Sequence, residues 1–206
     1  MPTAFSNICF TKSVKAAQTR YGSRENNLRF ELSDDPKNQL EDFEREFIAA
    51  RDSFYMATLS ENAWPYVQHR GGPVGFLKVL DSHTIGFADF RGNRQYLSVG
   101  NLNANPRTSL MLMDYSNRRR LKIWGTTRII HEPDEPDLLA QLESPNYKAR
   151  VERGLIINIE AIEWNCPQHI TPRYSEAEVD HVLQQLQEEN NRLRAQLSQY
   201  QSSNDS

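Results

Sequence analysis

Three short clusters in this sequence hold the residue types that binding chemistry needs. Segment 68–76, QHRGGPVGF, sets His69 and Arg70 directly before Gly71 and Gly72, with Gly75 three residues on. Glycines let a backbone approach a flat or bulky ligand closely, and His69 and Arg70 would give that ligand polar edges. Glycine also marks a β-bulge that closes a barrel, so composition alone leaves both readings open. Segment 88–95, ADFRGNRQ, leaves an apolar run and opens a helical one. Such a junction offers unpaired backbone N–H groups and the positive end of a helix dipole to an anion. Gly92, Asn93, Arg94 and Gln95 suit a phosphate, with Arg94 as the charged clamp; a plain helix cap by Asn93 beside a solvated arginine is the alternative. In segment 117–125, NRRRLKIWG, Arg120 and Lys122 are alternate residues and would share one face of a strand, aimed at an anionic ligand.

Other chemistries are thinly represented. Cys166 and His169 supply two donors where a structural zinc site needs four. No Ser-His-Asp pattern, Walker loop or GxGxxG fingerprint occurs.

The elements that must position these clusters follow from periodicity. Segment 38–52 puts Leu40, Phe43, Phe47 and Ile48 on one helical face, with Glu41, Asp42, Glu44 and Arg45 on the other. From Phe54 the pattern turns β-prone. FYMATLS and PYVQH flank a turn at ENAW, FLKVLD and TIGFAD read as a hairpin, and TSLMLMD, RLKIWGTTRII and GLIINIEAIEWN follow as strands. RGNRQYLSVGNLNANP reads as a short helix closed by an Asn/Pro loop, and EPDEPDLLAQLE as a short helix start with early acids. Many short strands with few helices predict a mainly β chain, a six-stranded barrel spanning 39–174. Residues 1–38 are polar without a sustained period and read as an arm packed partly against the barrel. Residues 175–200 change character: Val179, Leu183, Leu186, Asn190, Leu193, Leu197 and Tyr200 recur at alternating steps of four and three. That is a heptad seam with Leu183, Asn190 and Leu197 at a and Leu186, Leu193 and Tyr200 at d, the signature of a coiled coil. A helix folded back on the barrel is the other reading. Residues 201–206 read as a disordered tail.

A net charge of −3 does not suit a general nucleic-acid binder, and the acidic stretch before the seam lacks the basic helix of a zipper that reads DNA. No apolar run approaches the roughly 20 residues of a membrane helix, and the first residues lack a signal peptide's apolar core. Two cysteines make no disulfide framework. The expectation is a cytoplasmic protein with no nucleic-acid or membrane partner.

Taken together, the blocks FYMATLS…WPYVQHRGGPVGFLKVL, FADFRGNRQY, NPRTSLMLMDY, RRLKIWG and WNCPQHITPR, in that order, resemble the FMN-binding split-barrel family related to pyridoxamine 5'-phosphate oxidase, especially its uncharacterised branch. The resemblance covers about residues 40–174. It implies a six-stranded split barrel that dimerises, with FMN at the subunit interface. It carries His69, Arg70, Gly71 and Gly72 to the isoalloxazine and ribityl chain, and Ala88 and Asp89 to the strand end before the phosphate helix. The oxidases hold the phosphate with Ser-Arg-Lys, where this chain has Asn93, Arg94 and Gln95; Lys122 is the candidate to replace the lost lysine. A family glutamine near the flavin falls at Arg120, and a family tryptophan at Trp164. The lysine that contacts pyridoxal phosphate, the residues gripping the substrate phosphate and the C-terminal Arg-Leu-His-Asp-Arg motif have no counterpart. FMN binding therefore carries over from the resemblance, and pyridoxamine phosphate oxidation does not. The implied activity is a flavin-dependent oxidoreductase acting on a small substrate or a reduced nicotinamide, with His69 and His169 as possible proton donors. A non-catalytic flavin-binding sensor or interaction module, and a haem-binding split barrel, are the alternatives.

Overall fold

The structure, a computed structural model, describes residues 2–204, with side chains described from 2 to 199. Contacts divide the chain into two units, Met1–Asp114 with Arg119–Gln168, and Tyr115–Arg118 with His169–Ser206.

The first unit begins with three short helices, α1 (Ala4–Cys9), α2 (Lys12–Arg20) and α3 (Arg24–Glu31). Thr3 and Thr11 cap the first two by accepting the Ser6 and Val14 N–H groups. The arm is held by aromatic anchors: Phe5 packs on Phe10, Phe30 and the strand residue Trp124, at ring centroid distances of 5.3–5.8 Å. Anchors at 5, 10 and 30 do not recur at a helical period, which is why the sequence pattern shows no helix here.

Helix α4 (Asp42–Ala49) starts with a reciprocal capping box between Glu41 and Glu44. Leu40, Phe47 and Ile48 are buried as the periodicity requires, while Phe43 remains half exposed. Glu44, expected on the polar face, is buried because its carboxylate accepts the Trp164 indole N–H at 2.7 Å.

The strands are β1 (Ser53–Leu59), β2 (Pro65–Gly71), β3 (Lys78–Val79), β4 (Thr84–Phe90), β5 (Arg107–Asp114), β6 (Arg119–Ile130) and β7 (Val151–Asn165). Helix α5 (Leu97–Ala104) links β4 to β5, and α6 (Pro136–Leu142) links β6 to β7. All pair antiparallel in one sheet of order β2-β1-β5-β6-β7-β4-β3. The sheet has seven strands, where the sequence pattern predicts six. Each of the seven extended runs in the sequence supplies one strand, one more than the six expected of the barrel; FLKVLD supplies only the two-residue ladder of β3, because Phe76 and Leu77 leave the extended path to enter the core.

Three strands lie between β1 and β4 in this order, yet their side chains meet. The Phe54 and Phe87 rings are 5.2 Å apart, and Arg70 on β2 reaches Asp89 on β4 at 2.7 Å. The sheet therefore curls until its first strand faces β4 through side chains, and the seam between them is where the barrel is split. A bulge between Trp124 and Gly125 in the β6–β7 ladder adds the local bend and twist that such curling needs. Phe54, Met56, Phe87, Leu110, Leu112, Leu121, Ile123, Leu155 and Ile157 fill the interior.

The second unit is dominated by α7 (Glu176–Asn204), a helix of 29 residues. It begins one residue after the start expected from the heptad pattern and continues through 201–204. Asp205 and Ser206, where a disordered tail is expected, lie outside the described residues, as does the Tyr200 side chain.

Candidate functional site

The seam between β2 and β4 opens into two adjoining clefts that share Gln68, Arg70, Asp89, Phe90 and Gly92 as walls. One, of about 210 Å³, runs toward the start of α5 and is bordered by Tyr66, Asn93, Arg94, Gln95, Tyr96 and Glu152. The other, of about 300 Å³, runs toward Gly71, Phe76, Phe87, Ala88 and Tyr147. Of the residues singled out in the sequence, His69, Arg70, Gly71, Ala88, Asp89, Asn93, Arg94 and Gln95 thus border one continuous space.

Alternation along β2 decides what reaches it. Tyr66, Gln68 and Arg70 pair with Thr58, Met56 and Phe54, whose side chains are interior, so these three share the inner face. His69 pairs with Tyr55 and packs edge-on against its ring at 5.6 Å, so its imidazole lies on the outer face. Gly72 N–H donates to Asp52 O, and Ser60 N–H to Trp64 O. In an antiparallel ladder this fixes the even-numbered residues of β2 as those bonded to β1. The N–H groups of Val67, His69 and Gly71 consequently point off the open edge of the sheet.

The glycines that suit a ligand wall by composition have a different first duty. A Cβ at Gly72 would stand 2.7 Å from the Phe76 ring, and Gly75 has φ +76° with its N–H bonded to Arg51 O. Gly72 and Gly75 shape the turn that swings Phe76 into the core, and Gly72 borders neither cleft.

Asp89 lies at the centre of the charge. Its carboxylate is 2.7 Å from Arg70 Nη1 and 3.5 Å from Arg153 Nε, and it is buried. Burial pushes its pKa above the ordinary value, outweighing the pull of Arg70 and Arg153. The Nε–H of Arg70 is buried with no hydrogen-bond partner among the described residues. Next to Asp89 the β4–β7 ladder bulges: Asp89 pairs with Arg153 and Phe90 with Val151, leaving Glu152 as the extra residue. The bulge aims Glu152 into the cleft, where it holds Arg153 Nη2 at 2.6 Å and lies 3.7 Å from Arg91 Nε.

Arg94 is differently placed. It and Tyr96 adopt left-handed backbone conformations, φ 63° and 54°, unusual for side-chain-bearing residues and two of them within three positions. The Arg94 Nε–H donates to Tyr96 Oη at 3.4 Å, which raises its pKa further, and the Tyr96 hydroxyl donates to Glu152 at 3.4 Å. The Arg153 guanidinium covers the Tyr96 ring at 4.9 Å. Arg94 itself is exposed, and among the described residues no carboxylate forms an ion pair with it. Asn93 Oδ1 accepts the Gln95 N–H at 3.1 Å, and so turns the loop without capping the helix. The N-cap of α5 is Tyr96, and it makes no side-chain cap bond. The first-turn N–H groups of α5 and the Arg94 charge therefore face the same cleft, where an anion would satisfy both.

Three expected site residues lie elsewhere in the chain. Lys122 is on the outer face of β6, 3.7 Å from Glu163, whose pKa burial raises against the lysine's pull. Arg120, two residues earlier on that face, pairs with Met113 and Asn165 across the ladders. Trp164 is clamped between Phe43 and Phe47, at 5.1 and 4.7 Å, with its N–H on Glu44. Tyr66, Gln68, Tyr96, Glu152 and Arg153 border or support the site without standing out in the sequence. The alternation from Arg70 points to Gln68 and Tyr66; a bulge leaves no local signal that could point to Glu152.

A curled antiparallel sheet split along one seam, with an uncapped helix start at that seam, defines a split-barrel fold. The chain belongs to the pyridoxamine 5'-phosphate oxidase family, whose model matches residues 40–164. No curated protein matches it. Among solved structures it is similar to HupZ of Group A Streptococcus, at 14% identity and a TM-score of 0.50, over 66% of this chain and 99% of that one. An FMN-binding protein from Syntrophomonas wolfei is 16% identical with a TM-score of 0.45, over 72% and 97% of the two chains. An F420 reductase is 20% identical with a TM-score of 0.41, over 57% and 94%. The HupZ likeness is one of fold. No helix among the described residues is long and apolar enough to cross a membrane.

Proposed function

We propose that this protein is a cytoplasmic FMN-binding flavoprotein that works as a homodimer and acts as an oxidoreductase on a small substrate or a reduced nicotinamide. The observation that carries the reading is the coincidence of the uncapped α5 start with the unpaired Arg94 at one end of the β2–β4 clefts. Membership of the pyridoxamine 5'-phosphate oxidase family supports it.

The residues fit a phosphorylated flavin in kind. Arg94, with Asn93, Gln95 and the first-turn N–H groups of α5, would hold the phosphate. Arg70, whose buried Nε–H lacks a partner, would donate to an acceptor on the ligand. Gly71 and Ala88 border the adjoining cleft, and the outward N–H groups of His69 and Gly71 remain available at the sheet edge; the Gly72 N–H is already committed to Asp52. Flavin, when bound, supplies two-electron transfer. The chain's own share is to bind, to orient and to hold Arg70 in place through Asp89.

The outer face of β2, β1, β5 and β6 supports the homodimer. Tyr55, Ala57, Val67, Met111 and Trp124 border an apolar hollow of about 230 Å³ there, next to the open β2 edge. His69, Arg120 and Lys122 share this face, so within this reading they act on the flavin of a second copy. Trp164, clamped against α4, has its role in packing.

Titration of the protein with FMN, followed by flavin fluorescence, tests the phosphate assignment. Arg94→Ala is expected to weaken binding by about ten- to a hundredfold, the worth of a hydrogen bond to a charged group. Unchanged affinity would remove Arg94 from the site. Bleaching of the bound flavin's yellow colour by NADPH or NADH would support an enzyme, and no bleaching by any candidate donor would leave a binding module.

A further inference from the structure

Helix α7 carries an exposed apolar stripe. Val179, Leu183, Leu186, Leu193 and Leu197 are 45–61% exposed, and Val182 widens the stripe on one flank. In the heptad frame Val179, Leu186 and Leu193 are at d, Leu183 and Leu197 are at a, and Asn190 is at the central a position. A 29-residue helix this polar on its other faces gains its stability mainly from covering such a stripe.

The flanking charges identify what covers it. Position g holds Val182, Glu189 and Gln196; position e holds Asp180, Gln187 and Arg194. In a parallel, in-register pair each g residue meets the e residue of the following heptad in the other strand. Glu189 then meets Arg194 of the second helix, twice by symmetry. Asn190 also meets Asn190, side chain to side chain, where each amide can both donate and accept. In an antiparallel pair an a residue faces a d residue, so the same Asn190 would be set against a leucine. Within one helix Glu189 holds Arg192 at 2.7 Å on the exposed surface, which leaves Arg194 without a carboxylate partner among the described residues.

We infer that α7 pairs with α7 of a second copy of this chain as a parallel, in-register, two-stranded coiled coil, with Asn190 opposed to Asn190 and Glu189 bonded to Arg194 across the seam. The inference does not rest on flavin binding, and FMN affinity is expected to be the same whether the seam is intact or broken.

Cysteine trapping in the full-length protein tests it, in a background carrying Cys9→Ser and Cys166→Ser. Under mild oxidation Asn190→Cys should become a covalent dimer, while Glu188→Cys, on the opposite face at f, should not. Adding Glu189→Arg or Arg194→Glu to Asn190→Cys should slow cross-linking about three- to tenfold, since each turns two exposed attractions into repulsions. Combining both changes should restore the rate, although the arginine introduced by Glu189→Arg cannot hold Arg192. Circular dichroism of each variant keeps the test decisive: cross-linking absent at Asn190→Cys with the helix retained overturns the pairing. Equal cross-linking at 190 and 188, or no restoration by the double charge swap, overturns the parallel register. Should Asn190→Cys cost helix content, the charge-swap series in the wild-type background, followed by sedimentation at rising salt, replaces it. Loss of the tail-dependent dimer in each single swap and its recovery in the double swap support the pairing; no change across the series overturns it.

Discussion

Arg70 and Arg94 border the same cleft from opposite walls, and their surroundings differ in nearly every respect. Arg70 is mostly buried, bonded to Asp89 and lies over the Phe87 ring at 5.8 Å. Arg94 is exposed, carried on a left-handed turn, and donates to the Tyr96 hydroxyl. A buried ion pair is held because breaking it strands a charge in low dielectric, whereas an exposed, unpaired guanidinium beside uncapped helix amides costs the fold little and suits an arriving anion. In the proposed reading the cleft thus has a structural side, which sets shape, and a receptive side, which would set ligand charge.

That division can be broken most forcefully from the structural side. Asp89→Ala leaves Arg70 and Arg153 without their shared counterion, and is expected to cost about 3–5 kcal/mol in urea unfolding. A loss under about 1 kcal/mol, far below the worth of a stranded buried charge, would mean that water, not Asp89, compensates the arginines. Gly72→Ala comes next. Its methyl must displace the Phe76 ring, so stability should fall by about 1–3 kcal/mol, with FMN affinity little changed at protein concentrations where the variant stays folded. The opposite pattern, full stability with lost flavin, would restore Gly72 to the ligand wall.

A smaller effect sharpens the account of Asp89 itself. Its folded-state pKa is raised by burial, so the folded chain holds that proton more tightly than the unfolded chain. The group's contribution to stability is then greatest in acid and declines as pH rises from about 4 through the raised value. The amide that replaces the carboxyl in Asp89→Asn cannot titrate. The stability of wild type relative to Asp89→Asn should therefore decline over that interval, as read from urea midpoints at a series of pH values. A difference that grows with pH would show that the arginines dominate. Smallest of all, Arg94→Ala should leave the urea midpoint essentially where it is, as for a surface side chain outside the packed frame; a clear loss would make Arg94 part of that frame.

Much of this is legible in the sequence because it is written in local patterns. Alternation and turn residues locate the strands, and the block order from FYMATLS to WNCPQHITPR carries the family, which the match over 40–164 shows. Segment 88–95 reads as an anion junction, and the N-cap of the α5 helix that follows makes no side-chain cap bond. What is not legible depends on distant partners. Phe76 and Leu77 turn inward because a core awaits them, which reduces the expected strand to the two residues of β3. Glu44 is buried because Trp164, 120 residues on, needs an acceptor. Glu152 enters the cleft only through a bulge, and the arm's helices hold through Phe5, Phe10 and Phe30 meeting one another, with Phe5 also on Trp124, rather than through any period of their own. Lys122 and Arg120 do share one face of a strand, but that face is the outer one, away from Arg94 within the chain.

The central claim is that the Arg94 end of the cleft receives a phosphate attached to a flavin. Comparing FMN with riboflavin, which lacks only that phosphate, tests it directly by fluorescence titration of wild type and Arg94→Ala. The account predicts that wild type prefers FMN by at least about tenfold, one charge-assisted hydrogen bond's worth, and that Arg94→Ala loses most of this preference while riboflavin affinity holds. Equal affinity of the wild-type protein for the two flavins, or a preference that survives in Arg94→Ala, would contradict it.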